Sequence, residues 1–118
     1  AKRQVFKKLK VLETHLLLAG DQAAGYVQVL HAADFLYVKS LGLIPRYQRK
    51  GAGKQIMQGL MSEAKRLNLP IKLSVFTANS AAEKFYVRSG FRKLERDDWF
   101  QSMIWNGEKS GRGDIPAV

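Results

Sequence analysis

The sequence predicts a mixed α/β fold in a single domain, built on a sheet that contains a parallel crossover. Three observations predict it. Short apolar or alternating stretches recur at residues 14–19, 25–32, 35–44, 71–77, 91–95 and 99–105. A clear helical repeat (Ile56, Leu60, Ala64, Leu67) lies between two of them, as a strand–loop–helix–strand crossover needs. The length of 118 residues is that of one domain, and 46% hydrophobic content is enough to bury a core.

In chain order, residues 1–12 place Val5, Phe6, Leu9 and Leu12 at helical spacing with lysines between, which predicts an amphipathic helix. Residues 14–19 and 25–32 read as a β-hairpin across Gly20-Asp21. Residues 35–44 read as a central strand that Pro45 ends, because proline has no N–H for the ladder. Residues 46–53 form a basic, glycine-bearing loop before the helix, and Asn68-Leu69-Pro70 stops that helix. Residues 71–77 alternate as a strand does. Asn79-Ser80 caps a second helix running to Arg88, with Gly90 as its terminating glycine. Residues 91–95 and 99–105 read as a closing strand pair, and 106–118 as a flexible tail.

Composition excludes several classes. With no cysteine, the chain has no disulfide scaffold, cysteine nucleophile or thiolate metal site. Two histidines, His15 and His31, do not make a histidine-rich metal cluster, so no metal ligands are assigned. The longest apolar run, residues 16–19, is far too short for a membrane span, and no secretory h-region follows the basic start. The expectation is a cytoplasmic protein with no membrane partner. Twenty Lys and Arg against ten Asp and Glu leave a net charge of +10, which calls for an anionic partner without saying which.

The loop after the long strand answers part of that question. Arg46, Arg49, Lys50 and Lys54 put four cations within nine residues, around Gly51 and Gly53 and at a helix N-terminus. Backbone N–H groups and partial positive charge there suit a pyrophosphate. A Walker A loop does not fit, because Gln55 follows Gly53-Lys54 and Gln48 occupies the first glycine position. A dinucleotide fingerprint does not fit either, because Ile56 stands where its third glycine belongs. What remains is Gln48-x-x-Gly51-x-Gly53, preceded by Leu43-x-Pro45.

That pattern resembles the acyl-CoA motif of the GNAT superfamily of N-acetyltransferases, Q/R-x-x-G-x-G/A after a strand ending V/L-x-P. A second element matches downstream: Asn79, then Tyr86 seven residues later, then Ser89-Gly90-Phe91. The resemblance covers roughly residues 14–105. It implies a GNAT-like acyl-CoA acyltransferase fold and an N-acetyltransferase that moves acetyl from acetyl-CoA to a primary amine by direct attack.

Residue by residue, the resemblance implies that backbone N–H groups of Arg49, Lys50, Gly51, Ala52, Gly53 and Lys54 hold the pyrophosphate, within the motif that Gln48 opens. Leu41, Leu43 and Ile44 line the pantetheine arm, and the Leu43 N–H polarises the thioester carbonyl. Asn79 hydrogen-bonds the arm, and Tyr86 protonates the departing thiolate. A general base is not assigned: Ser74 stands where some relatives carry glutamate, leaving Asp34, His31 or a water chain.

The family usually begins with a strand and two helices, whereas this chain has room for one helix before the hairpin. The expectation is a domain over 1–105 with an abbreviated N-terminus, lacking the usual first strand and helix. The acceptor is a small-molecule or peptide amine. A homodimer completing the acceptor site, and nucleic acid as a partner (including a tRNA-directed acetyltransferase), stay open. The rival from another class is a non-catalytic CoA- or nucleic-acid-binding module on a degenerate acyltransferase fold.

Overall fold

The computed structural model describes residues 11–48 and 51–107. The strands and helices run β1 (Val11–Ala19), β2 (Gln22–His31), β3 (Leu36–Leu43), α1 (Ala52–Leu67), β4 (Ile71–Phe76), α2 (Ser80–Arg88), β5 (Arg92–Arg96) and β6 (Phe100–Trp105). The strands form one six-stranded sheet in the order β1-β2-β3-β4-β6-β5. Among the described residues only β3 and β4 pair in parallel, and α1 joins them as the crossover. The mixed sheet and its parallel crossover are therefore as the sequence predicts.

One boundary differs materially. The helix expected over 1–12 does not extend to its inner end: Val11 and Leu12 belong to β1 and pair with His31 and Leu30. Residues 1–10 lie outside the described residues, as do 108–118 of the expected tail. A β-branched valine and a ready partner strand outweigh a weak helical repeat, because ladder pairing is a tertiary gain that local spacing does not register.

The core lies on one side of the sheet. Val27, Val29, Leu36, Val38, Ile71, Leu73 and Met103 are buried there against Ile56, Met57, Leu60 and Ala64 of α1. Those four α1 positions recur at i, i+1, i+4 and i+8, one face of a helix, and the larger ones each stabilise the fold by about 2 kcal/mol. Asn68 ends α1 in the left-handed region at φ 59°, its N–H donating to the Ala64 and Lys65 carbonyls. No helix among the described residues is long and apolar enough to cross a membrane.

A bulge in β3 decides how this face continues. Gln28 pairs with Ser40 and Val29 with Val38, so Lys39 is an extra residue. In an unbroken strand Leu41 and Leu43 would point away from the side that Leu36 and Val38 occupy. The extra residue restores the parity, and both leucines pack against the core.

Candidate functional site

The bulge also bends β3 away from β4. The two strands pair only at Leu36 with Ile71 and Tyr37 with Lys72. Beyond those pairs, β3 runs on to Leu43 and β4 to Phe76 without pairing. The result is a gap at the carboxyl end of the parallel pair, where ligands of open α/β sheets bind.

The backbone at the gap is oriented by what β2 takes. The Ile44 N–H donates to the Ala24 carbonyl at 2.8 Å. Successive N–H groups of a strand point to opposite edges, so the Leu43 N–H points to the β4 side, into the gap. Gln48 closes back onto the same strand end, its Nε2 donating to the Leu43 carbonyl at 3.2 Å. Pro45–Tyr47 makes a single 3-10 turn between them.

After that turn comes the N-terminus of α1. Gly51 takes φ 84°, a left-handed conformation that glycine adopts without strain, and no side chain among the described residues caps the helix. The first intrahelical bond is Gln55 N–H to the Gly51 carbonyl at 3.0 Å, so the N–H groups of Ala52, Gly53 and Lys54 head the helix. No acid lies in the first turn, and Lys54 is exposed there. Three N–H groups, a helix dipole and a lysine suit a phosphate-bearing ligand. Arg49 and Lys50 lie outside the described residues.

Asn79 and Tyr86 belong to the α2 segment that follows β4, Asn79 as its N-cap and Tyr86 within it. The Asn79 side-chain oxygen accepts the Ala82 N–H at 3.0 Å, so it is the N-cap, and its amide nitrogen remains available to a ligand. Tyr86 is 8% exposed. Its ring meets Phe85 and Phe91 edge-on, with centroids 5.1 and 5.4 Å away. Its hydroxyl has no hydrogen-bond partner among the described residues. Burial pushes the phenol above its ordinary pKa, so it holds its proton throughout the neutral range.

His31 and Asp34 are not brought to the gap. His31 and Asp34 lie at the opposite end of the strands, where β3 begins; Leu43 is about 23 Å further along β3. His31 Nε2 sits 3.2 Å from Glu13 Oε1, which His15 also shares. Ser74 pairs with the Ser102 hydroxyl at 3.4 Å. Of the residues the motifs single out, Leu41 and Leu43 lie on the unpaired end of β3, and Ile44 follows directly after it. Gln48, Gly51, Ala52, Gly53 and Lys54 form the turn and helix end beyond it. Sequence reasoning missed Lys39, whose bulge opens the gap, and Gly42, where a Cβ would lie 2.4 Å from the Tyr26 ring. A glycine inside an apolar strand is the signal of such a close approach.

A family model described as the acetyltransferase (GNAT) family matches residues 5–91. No curated protein matches the sequence. Solved structures do match in fold. The ribosomal-protein-S18-alanine N-acetyltransferase of Escherichia coli aligns with TM-score 0.75 at 20% identity, over 85% of this chain and 72% of that one. The PaiA N-acetyltransferase of Thermoplasma acidophilum, solved with coenzyme A, aligns with TM-score 0.75 at 22% identity. That alignment covers 80% of this chain, which spans only 60% of the other. A GNAT family acetyltransferase of Elizabethkingia anophelis, solved with acetyl-CoA bound, aligns with TM-score 0.70 at 14% identity, over 80% and 76% of the two chains.

Proposed function

The chain belongs to the acetyltransferase (GNAT) family, and from that premise we propose that it is an N-acetyltransferase taking acetyl from acetyl-CoA to a primary amine. The observation that carries the reading is the uncapped, acid-free N-terminus of α1 placed just beyond the unpaired end of β3. Ala52, Gly53 and Lys54 hold the pyrophosphate by their N–H groups, with Arg49 and Lys50 adding charge. Leu41, Leu43 and Ile44 flank the pantetheine arm in the gap, and the Asn79 amide donates to it.

The bound thioester supplies the activated acetyl group. The Leu43 N–H stabilises the negative charge that develops on the thioester oxygen as the amine attacks the carbonyl carbon. The carbon–sulfur bond breaks, and Tyr86 gives its proton to the departing sulfur while the amine nitrogen gives one to water. A phenol held protonated by burial suits that role, and solvent restores its proton.

Calorimetric titration with acetyl-CoA, followed by thiol release over a panel of amines, tests the reading. Micromolar binding and amine-dependent thiol release are expected. Absence of acetyl-CoA binding would sink the whole proposal; binding without release for any amine would leave a CoA-binding module instead.

A further inference from the structure

Both helices pack on one side of the sheet, and the other side is bare among the described residues. Its side chains fall into three cross-strand rows. At the closed end, Leu12, Leu30, Tyr37, Lys72 and Ile104 stand side by side in register. The middle row is polar and satisfied within itself: Gln28 donates to Thr14, and Ser74 meets Ser102, each at 3.4 Å.

The third row crosses the open end. Leu16, Tyr26 and Gly42 stand on the β3 side of the gap, Phe76 and Phe100 on the β4 side. Counting from the Tyr37–Lys72 pair, five residues of β3 and four of β4 lead to Gly42 and Phe76. The Lys39 bulge absorbs the difference, so the two are level. The Tyr26 ring lies across Gly42, and its hydroxyl is held by Ser40 Oγ at 2.8 Å. Phe76 and Phe100 stack with centroids 5.0 Å apart, yet Phe76 is 60% exposed. The β5–β6 turn beside Phe100 is fixed by Asp97 Oδ1, which accepts the Trp99 and Phe100 N–H groups.

None of these five row residues is charged, in a chain carrying +10. Exposed aromatic rings on paired strands, continuous with a reaction gap, mark a recognition surface rather than a solvated one. We infer that this row is the acceptor wall, and that the acceptor is an amine whose carbon next to the nitrogen bears an aromatic or large aliphatic group. The inference rests on the acetyltransfer reading. The cofactor occupies the helix side of the gap, and the amine enters from the bare side between Tyr26 and Phe76. A carboxylate on the acceptor would meet the negative faces of those rings and lose hydration without a partner, and a lysine side chain would stack less apolar area on them than a phenyl ring does.

Three amines of one scaffold test it: phenylalanine amide, glutamate amide and lysine amide. Binding of each to the CoA-loaded chain is read by NMR, and acetylation by thiol release. Phenylalanine amide should be favoured at least about tenfold over both others. Phe76→Ala and Phe100→Ala should shrink that preference to within about threefold, with CoA affinity unchanged, and Phe76→Lys should turn it toward glutamate amide. Equal use of the three amides, failure of phenylalanine amide to bind, or an unchanged preference in the variants would overturn the inference. Loss of CoA binding by the unsubstituted chain is a separate result and would overturn the acetyltransfer reading instead.

Discussion

The two ends of the β3–β4 pair are built from the same strands and do opposite work. At the closed end Leu36 and Ile71 are fully buried, paired in register and packed under α1. At the open end Leu43 is only partly buried, Phe76 is mostly exposed, and no ladder bond joins the strands. Stability is concentrated where the strands meet, and backbone donors are left available where they part. The difference teaches that this site is not carved into the core but begins where the core stops.

That contrast can be broken from either end. The largest expected effect is on chemistry. Tyr86→Phe should lower kcat by roughly 100-fold or more, the usual worth of a positioned acid, with acetyl-CoA affinity kept within twofold. Because its hydroxyl has no partner to lose among the described residues, unfolding stability should not fall. A stability loss with normal kcat would make Tyr86 a structural residue.

Next in size, Leu36→Ala should cost about 3 kcal/mol in denaturant unfolding through lost burial and an unfilled cavity. Leu43→Ala, at the open end, should cost clearly less. Equal costs would erase the contrast between the ends. Gly51→Ala comes third, at about 1 kcal/mol, because alanine is strained at φ 84° although nothing lies within 4 Å of its Cβ. Acetyl-CoA binding should weaken in the same variant, as the helix end shifts.

The smallest effects are in pH dependence. Tyr86 has a raised folded-state pKa, so its contribution to stability is whole below about pH 10, the ordinary phenol value. It is lost as pH climbs through the higher folded value, because the unfolded chain ionises first. Tyr86→Phe should remove that part of the alkaline decline. Glu83 runs the other way: its hydrogen bond from Lys93 holds the carboxyl below its ordinary 4.5. Its contribution is present above that pH and lost on acidification, a small effect because its Lys93 and Arg96 partners are exposed to solvent. Thermal melts of Glu83→Gln should show a shallower acid-side fall.

Much of this was legible beforehand because the relevant signals are local. The α1 repeat, Asn68 and Pro70 mark a helix and its stop; Asn79 marks a cap that the Ala82 N–H indeed uses. The phosphate-type loop was readable from glycines and cations close in sequence. The Val11–Leu12 reading failed because the partner, β2, lies ten to twenty residues away, and a local repeat carries no information about it. The positions of His31 and Asp34 are a case of the same kind. Residue type suggested them, but strand direction sends them to the far end of the sheet.

By itself, then, the sequence determined the elements, their order and the acyl-CoA motifs, since helix periodicity, caps and glycine placement act within a few residues. Only the tertiary structure decided that Lys39 would be the extra residue and that β3 and β4 would part after two pairs. It also decided that the Leu43 N–H would face the gap, and that Tyr26, Phe76 and Phe100 would stand level across it. These are matters of register between distant strands, and register is set by which neighbour each strand finds, not by the strand alone.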